Sequence, residues 1–68
     1  QKSELSAEVM SLPQKYSIVL HLYYYEDYSV REISRILGIS ETNVQTRLMR
    51  ARKKLRVQLK EAWNDEQI

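Results

Sequence analysis

Apolar residues recur at helical spacing in the first half of the chain, which predicts two helices there. The first helix is predicted over residues 3–12, and its apolar face consists of Leu5, Val9 and Leu12. Pro13 should end this helix or open the next one, because proline lacks the N–H group that a helix interior needs. A second helix is predicted over residues 14–26. The apolar stripe expected on it is formed by Ile18, Leu22 and Tyr25 and is widened by Val19 and Tyr23.

A capping pattern marks the start of a third helix. Ser29 and Glu32 form an S-x-x-E sequence, in which each side chain accepts a hydrogen bond from the backbone of the other residue. The helix is therefore predicted to begin at Val30. Its apolar face consists of Val30, Ile33 and Leu37.

A single glycine, Gly38, predicts the turn into a fourth helix, because glycine adopts the left-handed conformation at low cost. Ile39 should fill the corner, and Ser40 should cap the next helix, with Glu41 placed favourably for the helix dipole. This helix is predicted from residue 41 to about residue 62. Six apolar residues fall in one narrow stripe and form its core face: Val44, Leu48, Ala51, Leu55, Leu59 and Ala62.

Length and composition predict one small all-α domain over residues 1–68, with one glycine, one proline and no cysteine. The chain begins with glutamine, so we expect it to be part of a longer protein. The apolar run at residues 18–25 is far shorter than the roughly 20 residues of a membrane span, and we expect a cytoplasmic protein without membrane contact. His21 is the lone histidine, so a surface or half-buried position is favoured over a metal site. No catalytic, cofactor-binding or metal-ligating residue is predicted, and we do not expect an enzyme.

Charge is distributed unevenly along the chain. The net charge is −2 over residues 1–34, +7 over residues 35–60 and −3 over residues 61–68. Residues 43–60 hold seven basic residues and no acidic one. A solvated helix face usually mixes both signs, so this block favours a surface that meets a polyanion.

Side chains opposite the apolar stripe of the fourth helix change in character along its length. The outward positions are Thr42, Thr46, Met49, Arg50, Lys53, Arg56, Val57 and Lys60. Gln45 and Arg52 flank one side, and Asn43, Arg47 and Lys54 flank the other. The face is polar first and basic later. That order is typical of a helix-turn-helix, whose second helix enters the major groove with its N-terminal part.

The pattern LP.KY..V..L.YYE.YS..EI...LGIS...V..RL.RARKKL, residues 12–55, resembles region 4 of bacterial sigma factors, and most closely the extracytoplasmic-function group. The resemblance implies a four-helix domain that ends in a helix-turn-helix without a wing. It implies a role in transcription initiation, with sequence-specific contact to the −35 element of double-stranded promoter DNA. It also implies docking of a monomer on the flap of the RNA polymerase β subunit, and often capture by an anti-sigma factor.

Site residues follow from the positions that match the family. The residues expected at or near bases are Thr42, Gln45, Thr46, Met49 and Arg50. The residues expected at phosphates are Ser40, Asn43, Arg47, Arg52, Lys53 and Lys54. Gln45 stands where members of this family often have lysine or arginine. Glutamine prefers adenine where arginine prefers guanine, so we expect a −35 sequence that differs from better-known ones. For Met49, contact with a thymine methyl group competes with simple chance exposure.

Two alternative functions stay open on the sequence alone. LuxR-type regulators share the EI…LGIS…V pattern, although their recognition helix is usually shorter. A protein-interaction module could use the basic helix to dock on an acidic partner. Four tyrosines, Tyr23, Tyr24, Tyr25 and Tyr28, are expected in core and rim packing rather than in base stacking. Trp63 either packs back on the helices or lies in a frayed tail.

Overall fold

The computed structural model describes the backbone of residues 9–67 and the side chains of residues 9–60. Within that part of the chain all regular structure is helical, which confirms the predicted all-α class. Over residues 14–67 the structure has three α-helices, α1 (Gln14–Leu20), α2 (Val30–Leu37) and α3 (Glu41–Gln67), and a π-helical turn, His21–Tyr25, extends α1. None of the helices in the described range is both long enough and apolar enough to cross a bilayer.

The predicted first helix lies mostly outside the described residues, and so does Leu5. Val9 and Met10 are helical, and Val9 and Leu12 are buried as predicted. The number of four helices therefore stays a prediction.

The segment predicted as one helix over residues 14–26 is divided into α1 and the π turn. The backbone N–H of Glu26 donates to the carbonyl of His21 at 3.1 Å, five residues back, where an α-helix would bond four residues back. Asp27 then takes a left-handed conformation, with φ of 61°. Aspartate tolerates this region better than most residues, so the chain turns here without a glycine.

The apolar stripe predicted for this segment is confirmed only in part. Val19 is fully buried, and Ile18, Leu22 and Tyr23 pack partly against the core, but Tyr25 is 37% exposed. The buried face of α1 is centred instead on Tyr16, Val19 and Leu20, so its phase differs from the prediction. Because apolar residues occupy nearly every side of residues 16–25, helical spacing alone does not decide which side faces the core. The π turn also rotates Tyr25 away from the position that an α-helix would give it.

The capping box at the start of α2 is confirmed. Glu32 donates its backbone N–H to the Ser29 hydroxyl at 3.1 Å, and Ser29 donates its backbone N–H to Oε1 of Glu32 at 2.8 Å. The hydrogen bond from the Ser29 backbone, with smaller contributions from the Ser29 side chain and from Arg35, lowers the pKa of Glu32. Ile33 is fully buried, while Val30 and Leu37 pack partly against the core.

The turn between α2 and α3 also forms as predicted. Gly38 has φ of 69° and ψ of 34°, and Ile39 packs against the core. A Cβ atom at Gly38 would meet nothing within 4 Å, so glycine is required there by its backbone conformation and not by space. Ser40 accepts a hydrogen bond from the backbone N–H of Asn43 at 3.0 Å and so caps α3.

One hydrophobic core joins the helices, and α3 packs against both α1 and α2. From α3 it takes Val44, Leu48 and Ala51 as buried residues and Leu55 as a partly buried one. Leu59 is half-buried. Val44, Leu48, Ala51 and Leu55 confirm most of the predicted stripe, while the side chains of Ala62 and Trp63 lie outside the described residues. The helix runs to Gln67, past the predicted end near residue 62, because no proline or glycine stops it.

The capping box predicts a pH-dependent contribution to stability. A carboxyl with a lowered pKa in the folded state stabilises the fold above its unfolded pKa, and this contribution is lost as pH falls through the folded pKa. We therefore expect Glu32→Gln to lower the melting temperature at about pH 7, and the difference from wild type to shrink on acidification towards about pH 3. Thermal unfolding followed by circular dichroism tests this expectation.

Glu41→Gln is the control, because Ser40 and not Glu41 provides the capping hydrogen bond at the start of α3. A difference between wild type and Glu32→Gln that stays constant over the whole acid range would contradict the assignment.

Candidate nucleic-acid interface

The outward face of α3 begins directly after the turn at Gly38. Burial of Val44 and Leu48 directs one side of the helix inward, and consecutive residues of an α-helix are rotated by about 100°. Four of the five residues predicted near bases are exposed on the remaining surface: Thr42, Gln45, Met49 and Arg50. Thr46, the fifth, is half-buried. All five therefore lie on the N-terminal part of α3, within residues 41–50.

Met49 has no structural reason for its exposure. The side chain is 61% exposed, whereas its neighbour Leu48 is 2% exposed. A methionine this exposed contributes little hydrophobic free energy to the stability of the domain. It offers a flexible apolar contact to whatever approaches this face.

One flank of α3 is ordered by hydrogen bonds between the residues predicted at phosphates. Arg47 donates its Nε–H to Oδ1 of Asn43 at 3.2 Å, one helical turn earlier. The backbone N–H of Asn43 is in turn bonded to the Ser40 hydroxyl. The structure thus brings Ser40, Asn43 and Arg47 together in one short chain of hydrogen bonds at the start of the helix.

The basic residues in the second half of α3 are exposed, and two of them lie against aromatic rings. Arg52 donates its Nε–H to the hydroxyl of Tyr24 at 2.6 Å. The ammonium group of Lys54 lies 5.6 Å from the ring centre of Tyr16. Each cation keeps its charge in such a contact, because an aromatic face attracts a cation without neutralising it.

A shallow groove runs between the start of α1 and the basic half of α3. Gln58 donates a hydrogen bond to the Ser11 hydroxyl across it at 2.7 Å. The groove is lined by apolar residues, cations and one glutamine: Leu12, Pro13, Arg50, Lys53, Lys54, Val57 and Gln58. Arg50, Lys53 and Lys54 are therefore shared between this groove and the predicted DNA-binding face.

The tyrosines do not all pack as predicted. Tyr23 is partly buried against the core, whereas Tyr24 is 51% exposed and Tyr25 and Tyr28 are both 37% exposed. The contact of Tyr24 with Arg52 was missed from the sequence, because no periodic signal connects residues 28 positions apart across an unpredicted π turn.

His21 is exposed, which agrees with the predicted surface position. Its ring meets Tyr25 edge-on at 5.3 Å, and its Nε2 lies 3.3 Å from Glu26.

A short capped helix, a glycine turn and a long helix with a polar and then basic outer face define a helix-turn-helix domain. In this class the second helix supplies the outer face that approaches a partner, and the preceding helices orient it. The three helices with the core beneath α3 meet this description.

The family match is specific and covers most of the chain. Residues 2–55 match the family described as Sigma-70, region 4, and the chain belongs to that family. The match decides against the LuxR-type alternative, which shares only the central part of the pattern.

Curated relatives support the same assignment. The chain is 37% identical over 65 residues to the ECF RNA polymerase sigma factor SigM of Bacillus subtilis (strain 168). This alignment covers 96% of the chain and 40% of the relative. It is 39% identical over 57 residues to the ECF RNA polymerase sigma factor SigW of the same organism, and this alignment covers 84% of the chain and 30% of the relative. These matches confirm the predicted resemblance to region 4 of ECF-type sigma factors. The chain spans well under half the length of these relatives.

The packing of α3 predicts a large loss of stability for one substitution and almost none for its neighbour. Leu48→Ala removes a buried side chain and should cost about 2–5 kcal/mol of unfolding free energy, which is enough to unfold much of so small a domain. Met49→Ala should change the unfolding free energy by less than about 0.5 kcal/mol. Urea unfolding followed by circular dichroism measures both, and a Met49→Ala variant as unstable as Leu48→Ala would refute this orientation of the helix.

Proposed function

We propose that this domain binds the −35 element of double-stranded promoter DNA as region 4 of a sigma factor, and so helps to direct RNA polymerase to promoters. One observation carries the proposal. The outer face of α3 is polar over its first turns and basic after them, and no acidic residue interrupts residues 43–60. Repulsion among these cations costs folding free energy, and a polyanionic partner offsets that cost.

The first turns of α3 enter the major groove in this proposal. Gln45 is suited to an adenine edge, Arg50 to a guanine edge, and Met49 to the methyl group of thymine. Thr42 and Thr46 complete the set of residues at or near the bases. All five are on the part of α3 that follows the Gly38 turn directly, which is the part of a recognition helix that reaches base edges.

Phosphate contacts surround this set. We assign them to Ser40, Asn43, Arg47, Arg52, Lys53 and Lys54. Such contacts supply most of the affinity and carry no sequence information directly, so binding should weaken steeply with salt. A module of this size should also bind weakly alone, because a longer protein adds further contacts to the same promoter.

A second surface favours a protein partner. The groove with Leu12, Pro13 and Val57 joins apolar side chains to three cations, which suits an apolar segment that carries acidic residues. Because the named relatives are RNA polymerase sigma factors, we propose the flap of the polymerase β subunit as one occupant and an anti-sigma factor as another. A monomer working in the cytoplasm fits this role.

The direct test of the proposed function is whether Gln45 and Thr46 recognise bases. Fluorescence anisotropy at low salt, with a set of duplexes that vary each base of a −35-like sequence, gives affinity and base preference together. We expect Gln45→Ala and Thr46→Ala to weaken binding to the preferred duplex by about 5- to 100-fold and to relax preference at individual positions.

Lys53→Gln is the matched control, since loss of a phosphate contact should weaken binding to all duplexes alike and lower the salt dependence. If Lys53→Gln weakens binding while Gln45→Ala and Thr46→Ala change neither affinity nor preference, the domain is a basic module without base recognition.

A further inference from the structure

The side chain of Arg52 is held by two tyrosines of the π turn. Its Nε–H donates to the Tyr24 hydroxyl at 2.6 Å. Its guanidinium carbon lies 5.7 Å from the ring centre of Tyr23 and 5.5 Å from that of Tyr24. The two rings meet edge to face at 5.0 Å and 80°, so each supports the orientation of the other.

The π turn makes this arrangement. Its hydrogen-bonded ring contains one more residue than an α-helical ring, so consecutive side chains are rotated less from one another. Tyr23 and Tyr24 can therefore both lie beside the same residue of α3. Tyr23 is anchored by partial burial against the core, while Tyr24 is half exposed and reaches outward. Single π turns of this kind are often found at functional sites.

The contact leaves Arg52 able to bind an anion. The hydrogen bond to Tyr24 uses the Nε–H and does not involve the terminal amino groups, and the residue is exposed. Guanidinium donors form a rigid fork that matches two oxygens of a phosphate. An arginine side chain that is already ordered loses less rotamer freedom on binding than one that moves freely in solvent.

We propose that Tyr24, together with Tyr23, is a positioning residue for DNA binding, which holds Arg52 ready as a clamp for a phosphate of the duplex backbone. The inference rests on the proposed DNA-binding function and adds to it a residue that lies outside the helix-turn-helix. Arg52 differs in this respect from a cation on a flexible chain, because its direction is set by a neighbouring element of the fold.

The test is a double-mutant cycle on affinity for a −35-like duplex, measured by anisotropy over a range of salt concentrations. Arg52→Gln should weaken binding and lower the slope of log affinity against log salt by about 0.9, the loss of one phosphate contact. Tyr24→Phe keeps the charge of Arg52, so it should weaken binding by about 2- to 10-fold with little change in that slope. Tyr24→Phe added to Arg52→Gln should have no further effect, because the residue it positions is gone.

Arg52→Lys is the second variant, and it decides the question if Tyr24→Phe fails to fold. Lysine keeps the positive charge but has neither the fork nor the Nε–H, so we expect a loss of affinity similar to that of Tyr24→Phe at an unchanged salt slope. In labelled wild-type domain the Arg52 Nε–H resonance should be protected from exchange and should shift on DNA binding, and Tyr24→Phe should remove the protection.

Two neighbouring changes serve as controls. Tyr25→Phe removes a hydroxyl from the same turn, but the Tyr25 ring faces His21, so affinity should stay at the wild-type value. Arg56→Gln removes a cation from the exposed surface one turn further along α3, and its effect should add to that of Tyr24→Phe. Circular dichroism verifies that each variant is folded.

The outcomes separate the inference from the function on which it rests. If wild type binds and depends on Gln45 and Thr46, but Tyr24→Phe or Arg52→Lys binds as wild type does, the clamp is refuted and the function stands. Full additivity of Tyr24→Phe and Arg52→Gln also refutes the clamp. If wild type binds no duplex at low salt, the proposed function fails and the clamp fails with it.

Discussion

Burial of one apolar stripe of α3 fixes which side chains of this helix face solvent and how α1 and α2 pack against it. Val44, Leu48 and Ala51 are removed from water by α1 and α2, and a helix is stiff enough that burying one side fixes the direction of every other side chain. The polar and basic residues of α3 are outward because that stripe is inward. The capping box fixes where α2 begins, and the left-handed Gly38 fixes where it ends and how α3 approaches it. Both therefore help to bring the apolar stripe of α3 against the core.

The positive charge on the outer face of α3 is not neutralised by the residues that contact it. A stable helix surface usually places carboxylates beside its cations, whereas Arg52 and Lys54 lie beside tyrosine rings. Aromatic rings stabilise a cation and leave its charge in place. The domain thus orders part of its basic surface without reducing the positive potential that a polyanion would meet. All acidic residues of the chain lie before residue 43 or after residue 60, and the nearest to this basic block are Glu41 and Glu61.

Signals that are local in sequence could be predicted, and signals that depend on distant packing could not. Ser29 with Glu32, Gly38 and Ser40 each act through backbone within a few residues, so the ends of α2 and the start of α3 follow from the sequence. The stripe of α3 follows too, because its other sides are polar. The phase of α1 does not follow, since Tyr16 and Ile18 are both apolar and only tertiary contact chooses between their sides. The Tyr24–Arg52 contact requires the π turn, which has no sequence signal here, and the roles of individual residues at bases or phosphates stay predictions.

A titration of isotope-labelled domain with a −35-like duplex at low salt shows whether the N-terminal part of α3 meets base edges. Nuclear magnetic resonance tolerates weak binding and reports residue by residue. We expect the largest shifts at Thr42, Gln45, Thr46, Met49 and Arg50, with smaller ones along the basic half of the helix. Shifts confined to residues 52–60, or no shifts at all, would contradict this expectation and would leave charge attraction or a protein partner as the function of this face.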